Sequence, residues 1–390
     1  MHPNVILNIK PPIDIQNIIN EKKFKNINLY VDFKNTARAL FVEDVMQEIS
    51  YNSSTNGLVD SNIFQSILLF SSTWKKFALS NNINFNIYFT NDEGKSEYHC
   101  NIDKEYKANR IIGNVNLPDY YEDITKIRRQ NLDLSEYLCN KIPNIYFFNL
   151  RFLESDFLSY YLITRKFNNP YTLHIIFSGD KDLYQCLKGD NVYLIFKRSG
   201  EVNIMNESSV IPEYIKFRKL KTKSLIKKNN IINKVNVDHY VSIMAITGDL
   251  SDNIKGVRDL GPIRTVEAFG DKDMISEFLG DYDDVVGRIV NGGNFINNNC
   301  NRDLAVSKSW KKIINNDELI TKNYKLMSFE VLCRWLEKRN GIYEINKLDY
   351  IENILNKSKE KNIKSVECLM SSLNQIPDMK LTENDMKILF

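Results

Sequence analysis

The segment TLHIIFSGDKD, residues 172–182, decides the fold class that the sequence predicts. Its first part is mostly apolar and rich in β-branched residues, which is typical of a short buried strand. Asp180 and Asp182 follow closely after the last apolar residue, Phe177. A strand that ends in acids points to an open α/β sheet, because such sheets bind ligands beyond the carboxyl ends of their strands.

Three earlier segments repeat this arrangement. Apolar runs at residues 28–31, 84–89 and 144–148 predict strands, and apolar residues recur at helical spacing over residues 61–80. Strands that alternate with helices predict a parallel, doubly wound sheet. Acids follow these strands at Asp32, just past the second strand at Asp92, and at the start of the next helix at Glu154 and Asp156.

The acids at these strand ends are expected to lie together. Carboxylates held at short range raise one another's pKa unless a cation lies between them, and oxygen ligands select a hard ion such as Mg²⁺ or Mn²⁺. Any one of these acids alone is more simply a turn residue or a helix cap, so the prediction depends on the whole set. The set is Asp32, Asp92, Glu154, Asp156, Asp180 and Asp182.

A second motif, TGDLSDNIKGV at residues 247–257, places a cation site beside a phosphate site. Asp249 and Asp252 are three residues apart, so they can share one face of a helical turn with a cation between them. Gly256 and Gly261 allow the backbone to turn sharply and to approach a phosphate. The pattern after about residue 235 is helical, and the motif predicts phosphodiester chemistry.

Composition narrows the class of protein. The formal net charge is +3, so the chain as a whole is not strongly basic, although residues 216–228 carry seven basic residues and no acid. On its own, such a run is most often a solvated loop or helix face. The six cysteines have no C-x-x-C spacing, which argues against a zinc ribbon and a disulfide framework. No apolar run approaches membrane length, so we expect a reduced, soluble, cytoplasmic protein, in the host cytoplasm if it is viral, with no membrane partner.

Together these residues resemble the flap endonuclease, or 5′-nuclease, family, and bacteriophage-type 5′-exonucleases most closely. The resemblance implies a PIN-like doubly wound, mainly parallel sheet at residues 1–234, with a helical arch inserted at residues 93–143. It implies an α-helical helix–three-turn–helix domain with a helical C-terminal extension at residues 235–390. The matching blocks are VDFKN at 31–35, DEGKS and EYKANR at 92–96 and 105–110, ESD and SGDKD at 154–156 and 178–182, and GDLSDNI at 248–254.

The resemblance also implies how the acids are divided between two divalent cations, Mg²⁺ or Mn²⁺. The first metal group would contain Asp92, Glu154, Asp156 and Asp180. The second would contain Asp182, Asp249 and Asp252, with Asp32 supporting both. The family's helix–three-turn–helix also allows a monovalent cation.

The remaining site residues implied by the resemblance contact nucleic acid. Lys107 and Arg110 would lie on one face of the arch helix and stabilise the transferred phosphate, and Tyr106 would stack on a base of the unpaired end. His99 stands where phage relatives tend to have an arginine, so we expect a pH-dependent phosphate contact there. Asp259 replaces a glycine of the second turn, which would weaken the grip on the duplex. The DNA-binding residues would be Gly256, Gly261, Arg264 and Thr265, with Lys216 and Lys219 of the basic run.

The implied function is a structure-specific 5′ nuclease, a flap endonuclease or 5′–3′ exonuclease, acting in replication or repair on DNA flaps, 5′ ends or RNA primers. Branched or nicked DNA and RNA–DNA hybrids would be its partners, and we expect a monomer. Two alternatives are a metal-dependent ribonuclease of the PIN type and a catalytically silent nucleic-acid-binding scaffold. Residues 384–390 are similar to tails that bind sliding clamps, although a hydrophobic helix end is the favoured interpretation.

Overall fold

The computed structural model describes residues 9–33, 62–110, 132–133, 135–137, 139–198, 201–217, 235–302, 306–338, 347–357 and 383–389. A central six-stranded sheet organises the amino-terminal half of the chain, and helices form most of the rest. The strands of the sheet are β1 (Asn26–Asp32), β2 (Asn84–Glu93), β3 (Ile145–Arg151), β4 (Thr172–Phe177), β5 (Val192–Arg198) and β6 (Glu201–Met205).

The helices are distributed around the sheet and along the carboxyl-terminal half. Those before residue 235 are α1 (Ile13–Lys22), α2 (Asn62–Ser80), α3 (Glu97–Ile102), α4 (Asp156–Tyr161) and α5 (Val210–Phe217). Those after it are α6 (Tyr240–Thr247), α7 (Pro262–Phe269), α8 (Lys272–Phe278), α9 (Tyr282–Val290), α10 (Lys308–Ile314), α11 (Asp317–Met327), α12 (Phe329–Lys338), α13 (Lys347–Lys357) and α14 (Glu383–Leu389).

The strand order is β3-β2-β1-β4-β5-β6, and all neighbours are parallel except β5 and β6. Because β1 lies between β2 and β4, the chain winds outward from it in both directions, which makes the carboxyl end of β1 the switch point where such sheets bind ligands. The register aligns Tyr30 with Tyr88 and Val31 with Phe177. The carboxyl ends of β1 to β4 therefore share one edge, as the sequence predicts.

Alternate residues of the strands face two separate apolar cores, as expected for a sheet covered on both sides. Leu29 and Val31 belong to the core that includes residues of α1 and α2. Tyr30 and Tyr88 point to the opposite face, where their rings stack with centroids 5.3 Å apart. This second core continues without a break into helices α4 to α13, so the sheet and the carboxyl-terminal helices pack as one body.

Side-chain caps explain where several carboxyl-terminal helices begin. The carboxylates of Asp271 and Asp281 accept the Met274 and Asp284 backbone N–H groups at the starts of α8 and α9, and Ser307 does the same for α10. A side-chain acceptor at this position satisfies a backbone N–H group that has no partner within the helix. None of the helices in the described ranges is long and apolar enough to cross a membrane.

Several element boundaries differ from the sequence prediction. Strand β4 begins and ends where predicted, but β2 continues to Glu93, so Asp92 lies inside the strand rather than past it. Strands β5 and β6 extend the sheet beyond the predicted set.

One residue of the carboxyl-terminal apolar cluster, Leu389, is not exposed. Leu389 is fully buried in the core that contains α2, and Lys75 Nζ donates to its carbonyl at 3.0 Å. This placement favours the interpretation of α14 as an ordinary hydrophobic helix end. Binding of a sliding clamp through residues 384–390 stays a prediction.

Candidate metal centre and nucleic-acid interface

Five acids lie at the carboxyl edge of the sheet, and we call them the strand-end group. Asp32 ends β1, Asp92 lies near the end of β2, and Asp156 begins α4. Ser178 Oγ donates to Asp32 Oδ2 at 2.7 Å, which orients that carboxylate. The complete group is Asp32, Asp92, Glu154, Asp156 and Asp180.

The pKa values show that the strand-end group is electrostatically crowded. Loss of solvent raises the pKa of Asp156 well above its usual range. The negative charges of the other four members, Asp32, Asp180, Asp92 and Glu154, raise it further. The charges of the other four acids therefore act on Asp156, and a bound cation would relieve this repulsion.

A second set of acids, which we call the junction group, joins the sheet to the carboxyl-terminal helices. One carboxylate oxygen from each of Asp182, Asp249 and Asp252 lies within 4.8 Å of the others. Asp182 belongs to the 3₁₀ helix Lys181–Cys186 after β4, whereas Asp252 ends the 3₁₀ helix Leu250–Asp252. Burial raises the pKa of Asp182 well above its usual range, and the charges of Asp180, Asp252 and Asp249 add to this effect.

The junction group has the donor chemistry of a hard cation site. All three ligands are carboxylates, and Asp182 Oδ1 is buried without a hydrogen-bond partner among the described residues. A buried acceptor without a donor is unfavourable, and a cation would satisfy it. The residues present therefore fit a divalent ion bound by oxygen ligands.

Tyr106 and Lys107 connect the two groups. The Tyr106 hydroxyl lies 3.0 Å from Glu154 Oε1 and 3.2 Å from Asp252 Oδ2. Lys107 Nζ forms an ion pair with Glu154 and lies 3.4 Å from Asp252 Oδ2. One hydroxyl and one ammonium group thus contact a carboxylate from each group.

This contact keeps Glu154 ionised. Burial opposes ionisation of Glu154, but the charges of His99 and Lys107 and the hydrogen bonds of Lys107 and Tyr106 lower its pKa to about 2. Burial lowers the pKa of His99 itself, so His99 is neutral at neutral pH and adds no charge there. Lys107 is therefore the cation that holds Glu154 in its charged form.

In the junction group a second lysine, Lys181, is the cation that pairs with an acid. Lys181 Nζ donates to Asp249 Oδ2 at 2.6 Å, and both side chains are almost completely buried. Burial would raise the pKa of Asp249, but Lys181 and the hydrogen bonds from Ser251 lower it. The Tyr240 hydroxyl donates to the Lys181 backbone carbonyl at 2.9 Å, which ties this lysine to α6.

The expected roles of Tyr106 and His99 need correction. The Tyr106 ring is 5% exposed and stacks on His99 with ring centroids 4.6 Å apart, so it offers no free face to a base. His99 is buried, with Nδ1 2.6 Å from Ser96 Oγ and Nε2 3.0 Å from the Leu326 carbonyl. Both nitrogens are occupied, so the imidazole does not face a phosphate.

The helical face predicted for Lys107 and Arg110 is also absent. Lys107 has φ 55°, a left-handed conformation, and a short 3₁₀ helix at Ala108–Arg110 follows it. The two residues therefore do not occupy successive turns of one α-helix. Beyond its backbone, Arg110 lies outside the described residues, as does the stretch 111–131 of the predicted arch.

The start of the predicted arch is bound to the second motif instead. The Lys107 backbone N–H donates to the Asp252 carbonyl at 3.0 Å, and Asn253 Nδ2 donates to the Glu105 carbonyl at 2.7 Å. Asn109 Nδ2 donates to the Leu250 carbonyl at 3.0 Å. These bonds hold Lys107 between the two acid groups.

The helix–turns–helix unit contains α6, the short strands β7 (Gly248–Asp249) and β8 (Ile254–Lys255), and α7. Its glycines have two different roles. A Cβ on Gly256 would lie 2.2 Å from the Thr247 carbonyl oxygen, and a Cβ on Gly248 would lie 2.3 Å from the Gly256 nitrogen. These two glycines allow two backbone segments to touch, whereas Gly261 faces open space at the start of α7.

The predicted DNA-binding side chains are divided between the surface and the interior. Arg264 is exposed, and its guanidinium donates to the Asp259 carbonyl at 3.1 Å. Thr265 is fully buried and bonded to the Gly261 carbonyl, so its side chain faces the protein rather than DNA. Asp259 pairs with Lys312 at 3.0 Å, which compensates its charge. The Lys216 side chain and all of Lys219 lie outside the described residues.

No protein-family model and no curated protein sequence matches the chain. Three solved structures of one bacteriophage T5 protein are similar to it in fold. The T5 D15 protein co-crystallised with metal ions has a TM-score of 0.53 at 18% identity, covering 85% of this chain and 100% of that chain. A bacteriophage T5 flap endonuclease variant in complex with DNA and metal ions has a TM-score of 0.52 at 19% identity, covering 86% and 100%. The T5 5′-exonuclease with zinc has a TM-score of 0.51 at 19% identity, covering 85% and 100%.

The chain has the fold of the T5 5′-exonuclease. This likeness, together with the mostly parallel sheet and the helices around it, confirms the predicted α/β PIN-like fold class. At this level of identity the likeness extends to the fold and not to the chemistry, so the assignment of each site residue depends on the geometry described above.

Sequence reasoning missed several residues that contact the acids or their neighbours, including Ser178 and Ser251 as well as Lys181, Tyr240 and Lys312. Lys181 stands between Asp180 and Asp182, and its neighbours in the sequence could have indicated a counter-ion. Tyr240 and Lys312 contact the site's elements from positions far along the chain, at Lys181 and Asp259 respectively. No local pattern marks the last two, because their partners are brought near only by packing.

Proposed function

We propose that this protein is a divalent-metal-dependent nuclease that hydrolyses phosphodiesters at or near the 5′ ends of branched or nicked DNA. The observation that carries this proposal is that one carboxylate oxygen from each of Asp182, Asp249 and Asp252 lies within 4.8 Å of the others. Asp182 follows strand β4, whereas Asp249 and Asp252 follow helix α6. Three carboxylates gathered this closely repel one another, and Asp182 Oδ1 is buried without a hydrogen-bond partner among the described residues, whereas a bound cation would satisfy all three.

The strand-end and junction groups would hold the two cations, with Asp32 supporting both. Two bound divalent cations would supply an activated water and would stabilise the attacking and leaving oxygens. The protein's own groups orient the ligands: Tyr106 and Ser178 hold Glu154 and Asp32 through hydrogen bonds. Ser251 holds Asp249 through a bond of 2.8 Å.

Lys107 is the group proposed to act on the phosphate. Its ammonium lies between Glu154 and Asp252, where the scissile phosphate would meet both acid groups. A fixed positive charge at that point offsets the negative charge that develops during phosphodiester cleavage. Arg110 remains a second proposed phosphate contact.

The finer assignments follow the family resemblance. We propose Mg²⁺ as the physiological ion with Mn²⁺ as a substitute, and a monovalent cation in the helix–turns–helix unit. Gly261 and Arg264 would contact the duplex backbone, with Lys216 and Lys219 adding basic contacts. The proposed nuclease and duplex-binding domains are residues 1–234 and 235–390, in a monomer that acts in the cytoplasm in replication or repair.

The experiment compares end-labelled substrates with the purified protein. Flap, nicked, blunt and single-stranded DNA, RNA–DNA hybrid and single-stranded RNA are incubated with Mg²⁺, with Mn²⁺ and with EDTA. We expect metal-dependent cleavage near the 5′ end of the branched DNA. Absence of cleavage with both metals, together with retained binding, would support a silent scaffold and contradict the proposal.

A ribonuclease of the PIN type is the second candidate. Cleavage of RNA alone would favour it. The helix–turns–helix unit favours DNA or a hybrid, because its open Gly261 and exposed Arg264 suit a duplex backbone.

A further inference from the structure

Phe152 has a backbone conformation that large side chains rarely adopt. Its φ is 59°, in the left-handed region, and it directly follows β3. Packing in a core does not account for this conformation, because the residue is 51% exposed. Strained positions of this kind persist where the surrounding structure holds them, and they cluster at functional sites.

Hydrogen bonds hold the Phe152 backbone on both sides. Its N–H donates to the Glu93 carbonyl at 2.8 Å, and its carbonyl accepts from the Glu97 N–H at 3.0 Å. The ring lies against Gly94, where a Cβ would be 3.0 Å from Phe152 Cδ1. The absence of a side chain at Gly94 therefore makes room for the aromatic ring. The two backbone hydrogen bonds and the contact with Gly94 together fix where the ring lies.

The location of the ring connects it to the strand-end group. Phe152 lies two residues before Glu154, and β3 pairs with β2 so that Leu150 aligns with Asp92. Two exposed basic residues are neighbours of this segment: Lys95 follows Gly94, and Arg151 precedes Phe152 and pairs with Glu93 at 3.6 Å. An exposed aromatic ring with a basic side chain nearby is the combination that binds unpaired nucleic acid, by stacking on a base and pairing with phosphates.

Apolar burial does not explain the same features. A ring kept for packing would be more fully buried, and glycine would fit the left-handed backbone better than phenylalanine. Exposed Tyr171, by contrast, precedes β4 at the opposite edge of the sheet, far along the strands from the acids. It provides a matched exposed aromatic residue away from the site.

We propose that Phe152 is a stacking platform for an unpaired nucleobase of the strand that is cut. This inference rests on the proposed nuclease function and adds to it a binding position for the base next to the scissile phosphodiester. Lys95 contacts a phosphate next to that base. The site therefore prefers substrates whose nucleotide at the cut is unpaired.

The test uses the full-length protein and the variant Phe152→Gly. Glycine relieves the left-handed backbone, so the melting temperature does not fall, whereas loss of stacking raises the KM for a flap substrate roughly ten-fold. Phe152→Trp keeps a stacking ring and retains the wild-type KM. Tyr171→Ala is the matched control and leaves KM unchanged.

A substrate with an abasic nucleotide next to the cut separates stacking from other effects. On this substrate, wild type and Phe152→Gly have the same KM, because there is no base to stack. With 2-aminopurine at the same position, the wild-type protein changes the fluorescence on binding and Phe152→Gly does not.

The outcomes distinguish the stacking inference from the proposed function. If the wild-type protein cuts the flap and Phe152→Gly has an unchanged KM, or an equal loss on the abasic substrate, the stacking platform is wrong and the nuclease function stands. If the wild-type protein neither binds nor cuts any substrate with either metal, the nuclease function is wrong and the stacking inference falls with it.

Discussion

The two acid groups differ in where their counter-ion comes from. In the strand-end group, Lys107 pairs with Glu154 from a separate segment that is held by backbone bonds to the second motif. In the junction group, Lys181 pairs with Asp249 from the same short helix that carries Asp182. The first lysine also contacts the other group, at Asp252, whereas the second is tied to α6 through Tyr240.

This difference predicts two functions for lysines that look alike. Lys107 touches both groups, so its charge lies where a phosphate would bridge them. Lys181 compensates one ligand of the junction group, so it competes with a cation for Asp249. We therefore expect Lys107 to control the chemical step and Lys181 to control the affinity for metal.

The largest expected effect is from Asp182→Asn. We expect removal of this proposed metal ligand to lower cleavage at least about a hundred-fold. The metal-free variant nevertheless melts higher, by on the order of 2 °C, since the raised pKa of Asp182 shows that its charge is unfavourable in the folded state. Cleavage assays and thermal melting in EDTA check both outcomes.

A loss of activity with a lower melting temperature would contradict this prediction, because it would mean that Asp182 mainly stabilises the fold. Ser251→Ala is a milder companion, since it removes one hydrogen bond to Asp249 and keeps all three carboxylates.

Lys107→Met is expected to lower kcat roughly a hundred-fold with saturating Mg²⁺, because the charge facing the phosphate is lost. Binding of the metal ion does not weaken, since the bound cation takes over the charge compensation that Lys107 gives to Glu154 and no longer competes with that ammonium group. Single-turnover kinetics and a Mg²⁺ titration separate the two effects. A variant whose activity is restored by more Mg²⁺ would assign Lys107 to metal binding rather than to the chemical step.

Lys181→Met sharpens the comparison, because the expected result is the opposite. The Mg²⁺ concentration for half-maximal cleavage falls about five-fold, equivalent to an ion pair of about 1 kcal/mol, and kcat changes little. The same titration checks it. If Lys181→Met loses kcat as Lys107→Met does, the proposed division between the two lysines is wrong.

The smallest expected effect is on pH dependence. Asp156 and Asp182 have raised pKa values in the folded state, so the metal-free protein loses stability as pH rises from the unfolded aspartate value of about 3.9 through those raised values. The proposed Mg²⁺ ion would bind the ionised carboxylates, so we expect its stabilising effect to increase with pH, by about 3 °C in melting temperature between about pH 5 and pH 8. Melting curves with Mg²⁺ and with EDTA test this.

The lowered pKa of Glu154 has the opposite effect on the pH dependence of stability. Its pKa is lowered to about 2, so its contribution to stability is present above the unfolded glutamate value and is lost as pH falls towards 2. The metal-free protein should therefore be most stable at mildly acidic pH. If the stabilising effect of Mg²⁺ does not change with pH, the raised pKa values of Asp156 and Asp182 are wrong.

Much of the fold and part of the site could be predicted because local patterns encode them. Strand β4 has the bounds that its apolar run predicts, and all six of its residues are buried. A run this short is too short for a typical helix, so a buried strand is the favoured structure. Asp180 and Asp182 follow it, and parallel strands bring such ends to one edge. The acids were therefore found without knowledge of the packing.

Other features depend on contacts that no local pattern records. The basic residues next to Tyr106 in the sequence suggest that it lies on the surface. In the structure its ring is buried and stacks on His99, and its hydroxyl contacts the carboxylates of Glu154 and Asp252. Gly256 suggests a phosphate contact, yet it mainly allows its backbone to touch Thr247. In both cases the partner is distant in the sequence or lies on the opposite side of a turn, so burial is decided by the packing.

By itself, the sequence determined the α/β class and the bounds of β4, and it predicted a set of eight acids as metal ligands, because apolar periodicity and acid placement are local properties. The tertiary structure alone decided that Asp182 meets Asp249 and Asp252, and which lysine neutralises which acid. It also placed Phe152 beside the strand-end group in a strained conformation. The physical reason is that charge pairing and desolvation act over a few ångströms in space, whatever the separation along the chain.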